Sequence, residues 1–179
     1  DLHWYPHSFP TRRSSDLRLA GATAALASSL TLTGCGFDAQ TLQSYPPAQG
    51  INVDVAGGPK VRNLLLIANA SGKGQVSASI VAPTTADRLI AVAATPIKPD
   101  STLGAPLTVS AANVTLPAGR MVVLTDTAVA PIIVTGADLK PGVTANVTLT
   151  FASGAVQKVV VPVLDAANPI YATAAPSLR

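Results

Sequence analysis

From residue 60 onward, short apolar runs alternate with clusters of turn-forming residues. Val147, Leu149 and Phe151 fall on one parity; Asn146, Thr148 and Thr150 fall on the other. Val76, Ala78 and Ile80 oppose Ser77 and Ser79 in the same way. Successive strand side chains point to opposite faces, so this period of two predicts half-buried strands. Runs at 61–68, 75–81, 88–94, 107–110, 113–116, 121–124, 132–135, 143–152 and 156–163 are the predicted strands. Leu64-Leu65-Leu66-Ile67 is apolar at both parities and predicts a central strand covered on both faces. Turn chemistry separates the runs: Lys98-Pro99-Asp100, Pro117-Ala118-Gly119, Lys140-Pro141-Gly142 and Ser153-Gly154. No stretch of this region carries a helical period. Regularly spaced short strands with such turns predict a two-sheet sandwich.

The pattern before residue 60 is different. Residues 19–32 form an uncharged apolar run that ends in Leu32-Thr33-Gly34-Cys35, the only cysteine of the chain. The run has the length of a secretory core segment and is too short and hydroxyl-rich to cross a bilayer. Small residues ahead of a cysteine give a signal peptidase access to the backbone. The run therefore predicts a bacterial lipoprotein signal at 18–34, with Cys35 as the lipidated N-terminus of the mature chain. Two acyl chains there would hold a protein on a membrane stably, since each buried methylene contributes ~0.8 kcal/mol. Residues 35–58 then read as a tether, with Pro46-Pro47 favouring extended backbone. Residues 59–168 read as the sandwich domain and 169–179 as a tail. His7-Ser8-Phe9-Pro10-Thr11-Arg12-Arg13-Ser14-Ser15-Asp16-Leu17 resembles a translated sequencing-adapter oligonucleotide, so residues 1–17 are set apart from the fold.

Composition sharpens this picture. The chain has no glutamate, and both its histidines, His3 and His7, precede Cys35. From Cys35 onward nine basic and seven acidic residues are scattered singly, with no basic patch for nucleic acid. The usual general bases are missing from that part, and only separate aspartates and lysines remain. Ser71-Gly72-Lys73-Gly74 lacks the upstream glycine of a phosphate loop and reads as a hairpin turn. No calcium loop is present. Asn69, Asn113 and Asn146 each open a glycosylation triplet, expected by chance in a bacterial lipoprotein.

Several stretches resemble the periplasmic copper chaperones called PCu(A)C proteins and their actinobacterial lipoprotein relatives. They are Asp87-Arg88-Leu89-Ile90, Leu116-Pro117-Ala118-Gly119, Pro131-Ile132-Ile133-Val134-Thr135-Gly136, Leu139-Lys140-Pro141-Gly142, Val147-Thr148-Leu149-Thr150-Phe151 and Val159-Val160-Val161-Pro162-Val163. The resemblance implies an Ig-like or cupredoxin-like Greek-key sandwich of about eight to nine short strands. It also implies copper ligands at a His-x-Met pair, which falls here on Pro131 and Ile133, neither a metal donor. The family's other ligands fall between Thr95 and Met121, where only Met121 offers a donor. Beside Val122 and Val123, Met121 reads as a core methionine.

The sequence thus predicts a non-enzymatic envelope lipoprotein on the extracytoplasmic face of a cell membrane. It would be a binding or structural module without a cofactor or metal site, with the membrane and an unidentified envelope protein or ligand as partners. The alternative is a copper-handling chaperone using other ligands.

Overall fold

The computed structural model describes residues 49–171 and 173–178. Residues 1–48, and with them Cys35, the signal predicted at 18–34 and most of the tether predicted at 35–58, lie outside the described residues. Ten strands follow in chain order: β1 (Ile51–Asp54), β2 (Lys60–Ala68), β3 (Lys73–Val81), β4 (Asp87–Ile97), β5 (Thr108–Val109), β6 (Val114–Leu116), β7 (Met121–Val123), β8 (Ile133–Thr135), β9 (Thr144–Phe151) and β10 (Val156–Asp165). Single 3-10 turns close the described chain at Pro169–Tyr171 and Pro176–Leu178.

The strands form an all-β sandwich of two layers joined at a shared strand. One layer is built on β2 and β3. β3 pairs along one edge with β8 near its start and β7 near its end, and β8 pairs with β5. The other layer runs β10-β9-β4-β6, antiparallel throughout. β10 belongs to both: residues 156–162 pair with β9, and Val163–Asp165 run parallel to Leu66–Ala68 of β2. A strand that changes partners in this way turns the corner between two packed sheets.

Alternation builds the core. Val76, Ala78 and Ile80 of β3 and Val147, Leu149 and Phe151 of β9 are buried, and the intervening Ser77, Ser79, Asn146, Thr148 and Thr150 lie half-exposed. Val61, Leu64, Leu66, Leu89 and Leu116 join them in one cluster between the layers. Turns fall where the Gly, Pro and Asx residues fall. The β2–β3 hairpin closes through Asn69, whose Oδ1 accepts hydrogen bonds from the amides of Ser71 and Lys73 at 3.1 Å each and from Ser71 Oγ at 2.7 Å.

Two features differ from the expectation. Residues 51–54, placed by the sequence in an aperiodic tether, form β1 on β2. The pairing crosses a bulge between Arg62 and Leu65, with Asn63 in the left-handed region at φ 53°. The bulge resets the parity of β2, so Val61 and Leu64 both reach the core. The second difference is the segment read as a tail. Ala175 and Leu178 are buried against Leu65 and Ile67, the outward parity of β2. β2 is indeed central and covered on both faces, and residues 169–171 and 173–178 are what covers its outer face.

Candidate functional site

Cys35, the predicted lipidation site, lies outside the described residues. The positions where the resemblance places copper ligands do fall within the domain. Pro131 is exposed and Ile133 half-buried at the start of β8. Ser110 binds this segment: its Oγ accepts from the amide of Ile133 at 2.9 Å, and its amide donates to the Ile133 carbonyl at 2.9 Å. The arrangement is a hydroxyl and peptide surface without a nitrogen or sulfur side chain.

Met121 is not a core residue. It opens β7 opposite Val81 and is 64 % exposed. β7 is a three-residue edge strand, and its inward contact comes from Val122 and the following Leu124. Its register also separates it from β8. Ile133 pairs with Gln75, and Met121 with Val81, six residues further along β3. At 3.3 Å per residue the two sites are roughly 20 Å apart.

The aspartates are partly gathered. Asp100 and Asp138 line one groove of about 560 Å³, together with Lys98, Pro99, Lys140, Pro141 and Val143. Its walls are the two Lys-Pro turns that the sequence marks only as punctuation. Lys98 Nζ stands 3.8 Å from Asp138 Oδ2, which also accepts from the amide of Ala105 at 3.1 Å. Lys140 Nζ donates to the Ala70 carbonyl at 3.0 Å. The Asp100 carboxyl is held below its ordinary pKa, first by the Thr102 hydroxyl and then by the Thr102 amide. Its bonds lie within its own turn, as in an Asx turn.

Asp87 stands at the opposite end of the sandwich, beside a shallow cleft of about 130 Å³ lined by Gly57, Gly58, Pro83, Thr84, Thr85 and Ser153. Its Oδ2 accepts from Ser153 Oγ at 2.7 Å, and its Oδ1 from the amides of Ser153 at 3.0 Å and Arg88 at 2.8 Å. Partial burial pushes this carboxyl up. The hydrogen bonds from Ser153 and Arg88 outweigh it, and the net direction is down. These bonds tie the start of β4 to the β9–β10 hairpin, a structural use of the carboxylate. Asp126 caps its own turn through the Ala128 amide at 2.9 Å. Among the described residues no three His, Cys, Asp or Glu side chains come together as a metal cluster.

No protein-family model matches the chain, and no curated sequence does. Solved structures do. The copper-bound PCuAC domain from PmoF2 aligns at 17 % identity and a TM-score of 0.48, covering 64 % of this chain and 98 % of that one. The apo PCuAC domain from PmoF1 aligns at 24 % identity and a TM-score of 0.46, covering 63 % and 98 %. The apo PCuAC domain from PmoF2 aligns at 18 % identity and a TM-score of 0.46, covering 64 % and 95 %.

Proposed function

We propose that the chain is a non-enzymatic lipoprotein of the cell envelope, anchored through Cys35 and presenting its sandwich domain as a binding or structural module. One observation carries the reading: the uncharged apolar run of residues 19–32 ending in Leu32-Thr33-Gly34-Cys35. The absence of histidine and glutamate after Cys35 supports a role without acid–base chemistry. The hydroxyl-lined cleft at Ser153 and the Lys-Pro groove at Lys98 and Lys140 are the concave surfaces such a module would offer.

The test is fractionation of the protein with an intact signal in an acylating host. Wild type is expected in the membrane fraction and Cys35→Ala in the soluble fraction. Identical partitioning of the two would refute the anchor.

One observation favours a copper-handling role as a second reading. The Met121 thioether is exposed, so a soft donor is accessible to metal. It is a single donor, and tight Cu(I) binding needs several held close together.

A further inference from the structure

The segment 166–178 reads Ala-Ala-Asn-Pro-Ile-Tyr-Ala-Thr-Ala-Ala-Pro-Ser-Leu and carries no charged side chain over its whole length. It is held to the sheet from beneath. Leu178 and Ala175 are buried on Leu65 and Ile67. Asn69 Nδ2 donates to the Leu178 carbonyl at 3.1 Å, and Ser177 Oγ to Oε1 of the buried Gln75 at 2.9 Å. Lys73 Nζ, exposed at the border, donates to the Ser177 carbonyl at 2.8 Å. The other side of the segment faces outward, with Pro169, Ile170 and Pro176 exposed and Ile170 the most exposed large apolar residue among those described, at 67 %.

The segment also meets the point where the anchored chain enters the domain. Tyr171 Oη donates to Gln49 Oε1 at 2.8 Å. Gln49 lies fourteen residues after Cys35, a span of at most about 50 Å when fully extended. A domain held that close to a bilayer meets it at high effective concentration, so a weak apolar contact is enough to orient it. Uncharged chain with isoleucine, tyrosine and proline suits the headgroup boundary, and a bordering lysine can meet lipid phosphate.

We infer that the outward side of residues 166–171 and 173–178, centred on Ile170, is a membrane-docking surface that rests on phospholipid beside the anchor. The inference rests on the lipid-anchor reading and adds an orientation to it: the sheet of β2 and β3 faces the bilayer, and the outer face of β4, β9 and β10 faces away.

The chain after Cys35 has no tryptophan, since Trp4 precedes it, so an introduced indole reports alone. Ile170→Trp and Val156→Trp both sit at exposed positions, Val156 at 58 % on the other sheet. Each protein is expressed with an intact signal in an acylating host, purified in detergent and reconstituted with phosphatidylethanolamine–phosphatidylglycerol vesicles with brominated acyl chains. Thermal melts establish that both variants are folded. Docking predicts that bromolipid quenches the Ile170→Trp emission several-fold more than the Val156→Trp emission. Vesicles that float with the protein but quench both equally overturn the docking surface and leave the anchor standing. Protein that does not float with the vesicles refutes the anchor, and the docking surface falls with it.

Discussion

The amide of Gly50 donates to Oδ1 of Asn63 at 2.8 Å, and this bond sets the first strand against a bulge in the second. Asn63 returns the relation two residues along the first strand, its own amide donating to Asn52 Oδ1 at 2.9 Å. Asparagine tolerates the left-handed backbone that the bulge requires, and its side chain supplies the acceptor that β1 needs. The fit at Gly50 is close. A Cβ there would lie 2.6 Å from Asn63 Oδ1 and 2.7 Å from its carbonyl oxygen.

Gly50→Ala is therefore expected to displace β1 and lower stability by about 1–3 kcal/mol, as overpacking does. Asn63→Ala loses the acceptor and puts alanine, which tolerates the left-handed region less well than asparagine, at a positive φ, with an expected cost of about 1–2 kcal/mol. Urea unfolding of both variants checks the pair. Wild-type midpoints in both would refute the lock.

Leu178 tests whether the final segment belongs to the domain. It is buried on Leu65 and Ile67, so Leu178→Ala should cost about 2 kcal/mol, the low end for a buried leucine whose site can partly collapse. Ending the chain after Asp165 should cost more and expose an apolar strip of β2 to a hydrophobic dye. An unchanged midpoint after truncation would return the segment to the status of a tail.

Most strands were legible because one face of each is wet. Val147 against Thr148, or Ile80 against Ser79, states its own direction. The failures lie where that contrast is missing. β1 is four residues long and meets β2 across a bulge, so its parity has no simple continuation in the sequence. β4 runs on to Ile97 through Pro96, which sits opposite Ala145 and gives its carbonyl to the Gly104 amide. Met121 reads as core in the sequence but lies exposed, because three apolar residues in a row on an edge strand do not say which of them points inward. The final segment has no period at all; only the double-sided apolarity of Leu64 to Ile67 hints that something must cover the outer face. The groove between the Lys98 and Lys140 turns is a product of tertiary folding, joining loops some forty residues apart.

Acid should loosen the end of the sandwich held by Asp87. Its folded pKa lies below that of the unfolded chain, near 3.9 for aspartate. Such a group contributes stability at pH values above its unfolded pKa and loses it as pH falls through the folded value. The thermal midpoint is expected to stay level from pH 7 to about 5 and to drop below about 4. Asp87→Asn should lower the midpoint at pH 7 and flatten the acid limb, because the charged acceptor for Ser153 is gone. An acid limb as steep in Asp87→Asn as in wild type would show that other carboxylates carry it.

Copper is the sharpest test of the second reading. After Cys35 the chain offers one thioether and no imidazole. Folding leaves that thioether exposed on β7, roughly 20 Å along β3 from the Pro131–Ile133 positions where the resemblance places ligands. Two of the aspartates share a groove, but each of Asp100 and Asp138 already accepts hydrogen bonds from its surroundings, and a lysine stands beside them. Cu(I) selects soft donors, and carboxylates do not replace them. Titration of residues 36–179 in the presence of a strong Cu(I) chelator should therefore show no stoichiometric uptake. Met121→Leu should leave both the titration and the thermal midpoint as in wild type, since exposed substitutions usually stay within ±0.5 kcal/mol. A one-to-one site that resists the chelator and disappears in Met121→Leu would overturn this and make the thioether the centre of a copper-handling surface.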